Sequence, residues 1–280
     1  MFTGDGYLPG ILALAYSLRV VGSRYPFFVM ATRDISADSF AALDKLGVQY
    51  FLVEPIANPF FFRKPSLKDR LRGRKRKVEP RFLTTFTKLH IWELTQFDKL
   101  VYIDGDMLVC DNIDDLFDRP TWSAANAGGE LAENRDWVDL CSGLMVVEPD
   151  KNLYVDMLNK IDKVHSNDGG DQGFLHKYFP EWPKRADLHV PHGYNMGVEL
   201  FDAYVKELGY DWSRFASSET KKVKALHYWG NSKPWVIPME KMNFQFAQKN
   251  PYYFESIMLW HRHYAALADE FGLHRNRVPF

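Results

Sequence analysis

The sequence predicts an α/β protein of one domain, a mostly parallel sheet flanked by helices, on three observations. Near the N-terminus short apolar runs alternate with amphipathic helical stretches. A further buried-type strand runs over 100–103 and ends on an acidic residue. The third observation is composition: 46% hydrophobic and 25% charged among 280 residues is the balance of a chain that buries one sizeable core. In sheets of this kind ligands bind beyond the carboxyl ends of the strands, and that edge is where chemistry is sought.

Taken in order, the apolar stretch 11–21 predicts a helix that stops at Gly22, where a positive φ costs little. Runs 26–31 and 48–53 predict strands, and between them Ser36 caps a helix over 37–46 that ends at Gly47. The segment 60–81 interrupts the alternation with Arg63, Lys64, Lys68, Arg70, Arg72, Arg74, Lys75, Arg76 and Lys77. Such a run is a solvated surface loop that can also meet phosphate, and it receives no catalytic role. Segment 87–97 has helical spacing anchored by Leu89, Trp92 and Phe97, and strand 100–103 then delivers Asp104. Later elements are a strand over 142–147, a helix over 153–164 introduced by Pro149 and Asp150, and a helix over 169–179. Loose helical spacing from Asn243 onward predicts helices packed on the sheet. The chain is therefore divided into a domain over 1–240 and a helical extension over 241–280 packed on that same domain.

Charge and cysteine content exclude several classes. Formal net charge is −1, from 35 basic and 36 acidic residues, which gives no general attraction to nucleic acid or anionic membrane. Cys110 and Cys141 lie far apart with no C-x-x-C, so neither a zinc site nor a disulfide framework is expected. The first five residues lack the basic and apolar regions of a signal peptide, and no apolar run reaches membrane-spanning length. The expectation is a cytoplasmic protein without a transmembrane segment. The Golgi lumen is the alternative if the chain is the catalytic piece of a longer protein.

Three motifs can carry chemistry. In Asp104-Gly105-Asp106 the carboxylates are two residues apart, so in an extended segment both point the same way and can face one cation; Asp-Gly is also a common turn signal. In 227–235 a ligand, His227, a glycine, Gly230, and a cation, Lys233, follow a short apolar run. A neutral imidazole beside two carboxylates suits Mn²⁺ better than Mg²⁺, while a histidine among aromatics also serves as a structural residue. Asp168-Gly169-Gly170-Asp171-Gln172-Gly173 opens a helix, where Asp171 can either cap the helix or bind sugar hydroxyls.

Together and in this order these segments resemble glycosyltransferase family 8, the glycogenin and galactinol synthase group. The matching stretches are Thr87-Lys88-Leu89-His90-Ile91-Trp92, Tyr102-Ile103-Asp104-Gly105-Asp106, Asn112-Ile113-Asp114-Asp115-Leu116-Phe117, Gly169-Gly170-Asp171-Gln172-Gly173, Tyr194-Asn195 and 227–235. The resemblance implies a GT-A type, Rossmann-like fold, with Asp104, Asp106 and His227 as ligands of Mn²⁺, or of Mg²⁺ in its place. It implies that Gly230 and Lys233 bind the donor diphosphate, that Lys88 and Asp171 contact the sugar, and that Gln172 and Asn195 sit near the anomeric carbon. Thr3 and Tyr7 fall where the family holds uracil, Ser142 near the ribose and sugar, and Gly105 lets the donor approach the backbone. Where glycogenin glucosylates its own tyrosine this chain has Asp202, with Tyr204 and Tyr210 nearby.

The implied activity is a retaining transfer of a hexose, glucose or galactose, from a UDP-sugar to a hydroxyl acceptor: a sugar, polyol, glycan or protein tyrosine. Asp171, Gln172 and Lys233 are the candidate catalytic residues, no nucleic acid is a partner, and a homodimer is expected. Tyr204, Tyr210, Trp182 and Trp212 are either acceptor-side aromatics or core packing residues. The alternatives are a self-glycosylating primer and a nucleotide-sugar binding protein with little turnover.

Overall fold

A computed structural model describes residues 1–60, 82–166, 168–213, 215–218 and 221–273. The basic stretch 63–77 lies outside the described residues.

Helix α1 (Leu8–Val20) and helix α2 (Ala37–Lys45) end just before Gly22 and Gly47, both at φ 69°. Ser36 caps α2 by accepting from the Ser39 N–H. Between the helices run β1 (Phe28–Ala31) and, after α2, β2 (Gln49–Leu52), paired in parallel from Phe28↔Gln49 to Ala31↔Leu52. Phe2 bridges Ala31 on the other edge of β1.

The segment expected as a helix over 87–97 is a 3₁₀ helix, Thr85–Trp92. Its apolar side chains recur every third residue, Phe86, Leu89 and Trp92, all with no exposed surface. A period of three is the 3₁₀ repeat, so one face buries completely in that form.

β3 (Leu100–Ile103) lies antiparallel to β6 (Leu140–Val147), whose other edge takes β5 (Ala124–Asn126), again antiparallel. β4 (Met107–Val109) pairs antiparallel with β8 (Ala225–His227), and β7 (Met196–Gly197) pairs with β8 in parallel. The α/β class is as expected, with one refinement: the pairing is mixed rather than mostly parallel, in three sheets ordered β1–β2, β3–β6–β5 and β4–β8–β7. A loop with no crossover helix joins β5 to β6, and such a connection leaves neighbouring strands antiparallel. All eight residues of β6 are buried, which makes it the central strand of its sheet.

Helix α3 (Lys151–Leu158) is capped by Asp150, and α4 (Asp171–Tyr178) packs against β6. Helix α5 (Phe201–Leu208), short α6 (Phe244–Lys249) and long α7 (Pro251–Phe271) complete the chain. α7 packs on α1 and α5, with Trp260 5.5 Å from the Trp235 ring and stacked on Tyr264 at 5.1 Å. Each such ring removes about 150–250 Å² from water, so α7 is held by its aromatic face. Between β1 and β3 an apolar cavity of about 120 Å³ is lined by Ile11, Leu14, Phe28, Phe97, Val101 and Ile103. No helix among the described residues is long and apolar enough to cross a membrane.

Candidate active site

The chain turns between two sheets at residues 104–106. β3 ends at Ile103, the Asp104 N–H donates to the Gly143 carbonyl on β6 at 2.8 Å, and β4 begins at Met107. Because Met107 opposes His227 in the β4–β8 ladder, Asp106 is brought beside the imidazole. One ligand atom each from Asp104, Asp106 and His227 lies within 4.8 Å of the other two.

Each ligand is oriented by a neighbour. Tyr102 and Asp104 share a face of the extended chain, and the Tyr102 hydroxyl donates to Asp104 Oδ1 at 2.6 Å. His227 Nδ1 is 2.8 Å from Asn195 Oδ1, a contact that fits an N–H on Nδ1 and turns Nε2 toward Asp106, 3.3 Å away. A side chain at Gly143 would bring a Cβ within 2.5 Å of His227 Cε1 and 3.3 Å of Asp104 Oδ2, so the glycine keeps this space open. Two carboxylates and one imidazole, pre-aimed at a common point, fit a divalent ion of the Mn²⁺ or Mg²⁺ type.

Without an ion, the charges of the cluster balance one another. Burial opposes a charge on His227, yet the Asp106 carboxylate outweighs it and the imidazole pKa is pushed up to about 10. Burial likewise opposes the Asp106 anion, but His227 and Lys233 hold its pKa far below the carboxylate range. Lys233 Nζ donates to Asp106 Oδ2 and, at 2.7 Å, to the Tyr228 carbonyl. Positive side chains thus converge on the acidic pair, as expected where the fold concentrates negative charge for a cation.

Lys88, 4% exposed, builds the other half of the cluster. Its Nζ donates to the Ser142 carbonyl at 2.9 Å and Ser142 Oγ at 3.1 Å, and pairs with Asp104 at 3.2 Å and Asp171 at 3.0 Å. Burial works against this charge, but Asp104 and Asp171 raise its pKa well above the ordinary lysine value. The Ser142 N–H donates to Gln172 Oε1 at 3.3 Å. Of the two roles open to Asp171, the helix cap falls to another residue: Asp168 Oδ1 accepts from the N–H groups of Gly170 and Gly173.

The remaining sequence candidates lie around this core. Tyr7 is 41% exposed, with Lys233 over its ring at 5.8 Å and Trp235 edge-on at 6.0 Å. Thr3 Oγ1 meets Thr84 Oγ1 at 3.5 Å, on the segment that leads into the Lys88 helix. Gly105 packs against Ile11 of α1, and Gly230 is exposed with φ 57°. Loop 229–235 is braced by Glu199, which accepts from Ser232 Oγ at 2.6 Å, while Tyr253 of α7 donates to the same hydroxyl at 3.0 Å. The acceptor-side aromatics are a correction: Tyr204, Tyr210 and Trp182 are buried at 0%, 2% and 2% exposure, and Trp212 packs edge-on against Phe201.

Sequence reasoning missed Tyr102, Gly143 and Glu199. Tyr102 was legible, because residues two apart in a strand share a face; Gly143 and Glu199 act across strands and loops and left no local signal.

A mixed α/β arrangement with paired carboxylates just beyond the carboxyl end of β3 fits the GT-A class of fold. Residues 1–131 match the sequence model of glycosyl transferase family 8. Glycogenin-1 of Caenorhabditis elegans is 33% identical over 235 residues, covering 83% of this chain and 49% of the relative. An Arabidopsis thaliana protein whose name describes a UDP-glucuronate:xylan alpha-glucuronosyltransferase is 27% identical over 99% of this chain and 44% of its own length. The chain thus spans about half the length of these relatives. The solved structure of the galactosyltransferase LgtC with donor and acceptor sugar analogs matches 91% of this chain and 94% of its own, at TM-score 0.54 and 17% identity. On these matches the chain belongs with glycosyltransferase family 8.

Proposed function

We propose that this chain is a retaining, metal-dependent glycosyltransferase that moves a hexose from a UDP-sugar to a hydroxyl acceptor. The observation that carries the reading is the convergence of Asp104, Asp106 and His227 within 4.8 Å, with Lys233 on one side and Lys88 on the other. A divalent ion bound there, Mn²⁺ with Mg²⁺ as the alternative, supplies Lewis acidity toward the leaving diphosphate. Lys233 adds a second positive contact as negative charge gathers on UDP, and Gly230 offers an open backbone beside it. Asp171 and Gln172 supply oxygens near the anomeric carbon, where positive charge develops as the sugar passes through an oxocarbenium-like state. Lys88 fixes Asp171 and Ser142 relative to each other, Asn195 keeps the His227 ring in one tautomer, and Thr3 and Tyr7 flank the uracil position.

Glucose and galactose are the proposed sugars. A name among the relatives adds glucuronate as a donor to test. An external acceptor is favoured over self-priming, because Tyr204 and Tyr210 lie buried with their hydroxyls held by Glu130. A reducing, cytoplasmic setting fits the two free thiols, and a homodimer remains part of the reading.

The test is to incubate the chain with UDP-glucose, UDP-galactose or UDP-glucuronate in Mn²⁺ or EDTA, measuring UDP release and intact protein mass. Release in Mn²⁺ that EDTA and Asp104→Asn/Asp106→Asn both abolish is the expected outcome, with no hexose added to the protein. Release unaffected by the double substitution sinks the metal assignment. Donor binding with no turnover under any condition turns the reading to a binding protein.

A further inference from the structure

One exposed aromatic side chain, on the loop that leads into β6, has no role in the chemistry described above. Loop 127–139 joins β5 to β6, and β6 continues directly into Cys141, Ser142 and Gly143. The loop is tied at both ends. Asp139 pairs at 3.1 Å with His176 on α4, the helix that opens with Asp171 and Gln172. At the other end the Glu130 N–H donates to Tyr204 Oη on α5 at 2.8 Å, and the Glu130 carboxylate holds Lys221 at 2.6 Å. The loop therefore runs between the helix that opens with Asp171 and Gln172 and the helix that follows Asn195.

Inside it the backbone under Trp137 is fixed. The Gly128 N–H donates to the Trp137 carbonyl at 3.1 Å, and the Trp137 N–H donates to the Asn134 carbonyl at 2.9 Å. Any side chain at Gly128 would place a Cβ 2.2 Å from that carbonyl oxygen. Yet the residue stands 48% exposed, beside exposed Glu133, Arg135 and Asp136. Phe215 and Phe244 are more exposed, but neither segment holds a site residue.

A half-exposed indole on a fixed backbone is a poor element of stability and a good surface for a flat apolar ligand face, since the backbone need not be ordered when something covers it. A pyranose presents such a face in its C–H bonds and hydroxyls around its edge for the flanking charges. We propose that Trp137 is the platform on which the acceptor stacks, and that the acceptor is a carbohydrate. This rests on the hexosyltransferase reading and narrows its acceptor. In the transfer an acceptor hydroxyl oxygen bonds to the anomeric carbon as the carbon–oxygen bond to the diphosphate breaks. That electron pair leaves with UDP, and the hydroxyl proton passes to UDP or solvent.

The test uses the full chain with UDP and Mn²⁺, comparing wild type, Trp137→Ala and Trp137→Phe. Saturation-transfer NMR with maltotetraose, xylotetraose and lactose reads binding directly, and acceptor-dependent UDP release reads KM. At least one oligosaccharide is expected to bind, at least tenfold more weakly in Trp137→Ala, with most of the affinity restored by Trp137→Phe. Equal binding by wild type and Trp137→Ala overturns the proposal, as does binding of none of the three sugars. UDP release by the wild type from donor alone judges the hexosyltransferase reading separately. Should that fail, the NMR comparison still decides the role of Trp137.

Discussion

Asp104 illustrates how single side chains are prepared for metal chemistry. Its carboxylate is held by the Tyr102 hydroxyl on one oxygen and by Lys88 across both. Tyr102→Phe removes an orienting hydrogen bond without opening a cavity, so Mn²⁺ affinity is expected to weaken about tenfold, in line with losses at other supporting shells. Titration by electron paramagnetic resonance checks this; unchanged affinity at an unchanged melting midpoint makes the contact incidental. Lys233 has the opposite relation to the metal, because its ammonium pairs with Asp106. Lys233→Met is expected to lower the rate of UDP release about a hundredfold, the scale of a lost charge-stabilising donor. Mn²⁺ affinity without donor should be at least as tight as in wild type, since a competing cation has gone. A weaker Mn²⁺ site in that variant contradicts the assignment. The first contact joins residues two apart along the chain, the second residues far apart in sequence.

Elements hold the site through their packing, and α5 shows how. Its Tyr204 stacks on His192 at 4.4 Å, and neither ring nitrogen of His192 has a hydrogen-bond partner among the described residues. Burial drives the His192 pKa down from 6.5 to about 4, against the pull of Glu130. The folded state therefore keeps a neutral ring while the unfolded chain takes a proton near pH 6.5. Below that value the unfolded state binds more protons, so stability falls as pH drops from 6.5 toward 4, by about 3 kcal/mol in total. His192→Phe keeps a stacked ring and should flatten this part of the melting-midpoint profile; a profile identical to wild type refutes the burial argument. The same attention to period explains the segment 85–92. Its spacing was legible as helical, but only the fit of Phe86, Leu89 and Trp92 against the sheet selected a 3₁₀ turn over an α-helix.

Across the whole molecule, the C-terminal helix and the donor-side loop form one unit. Tyr228 donates to the Ser256 carbonyl at 2.8 Å, Tyr253 reaches Ser232, and Trp260 packs on Trp235. The proposed division at residue 240 is thus one of sequence style, and deleting 241–280 should expose these rings and release loop 229–235. The expected result is an aggregating or strongly destabilised product, measured by light scattering and thermal melting. A soluble truncation with the wild-type midpoint would make the extension dispensable. By itself the sequence determined the α/β class, Asp104 at the end of a strand that proves half-buried, and the residue types of the candidate metal site, because strand periodicity and residue chemistry are local properties. Only the tertiary structure decided that Asp168, not Asp171, caps α4, that Asn195 stands behind His227, that the sheet is mixed, and that Tyr204 and Tyr210 are buried. Those outcomes depend on which segments meet in space, and that is set by long-range packing of apolar faces rather than by the pattern along any one of them.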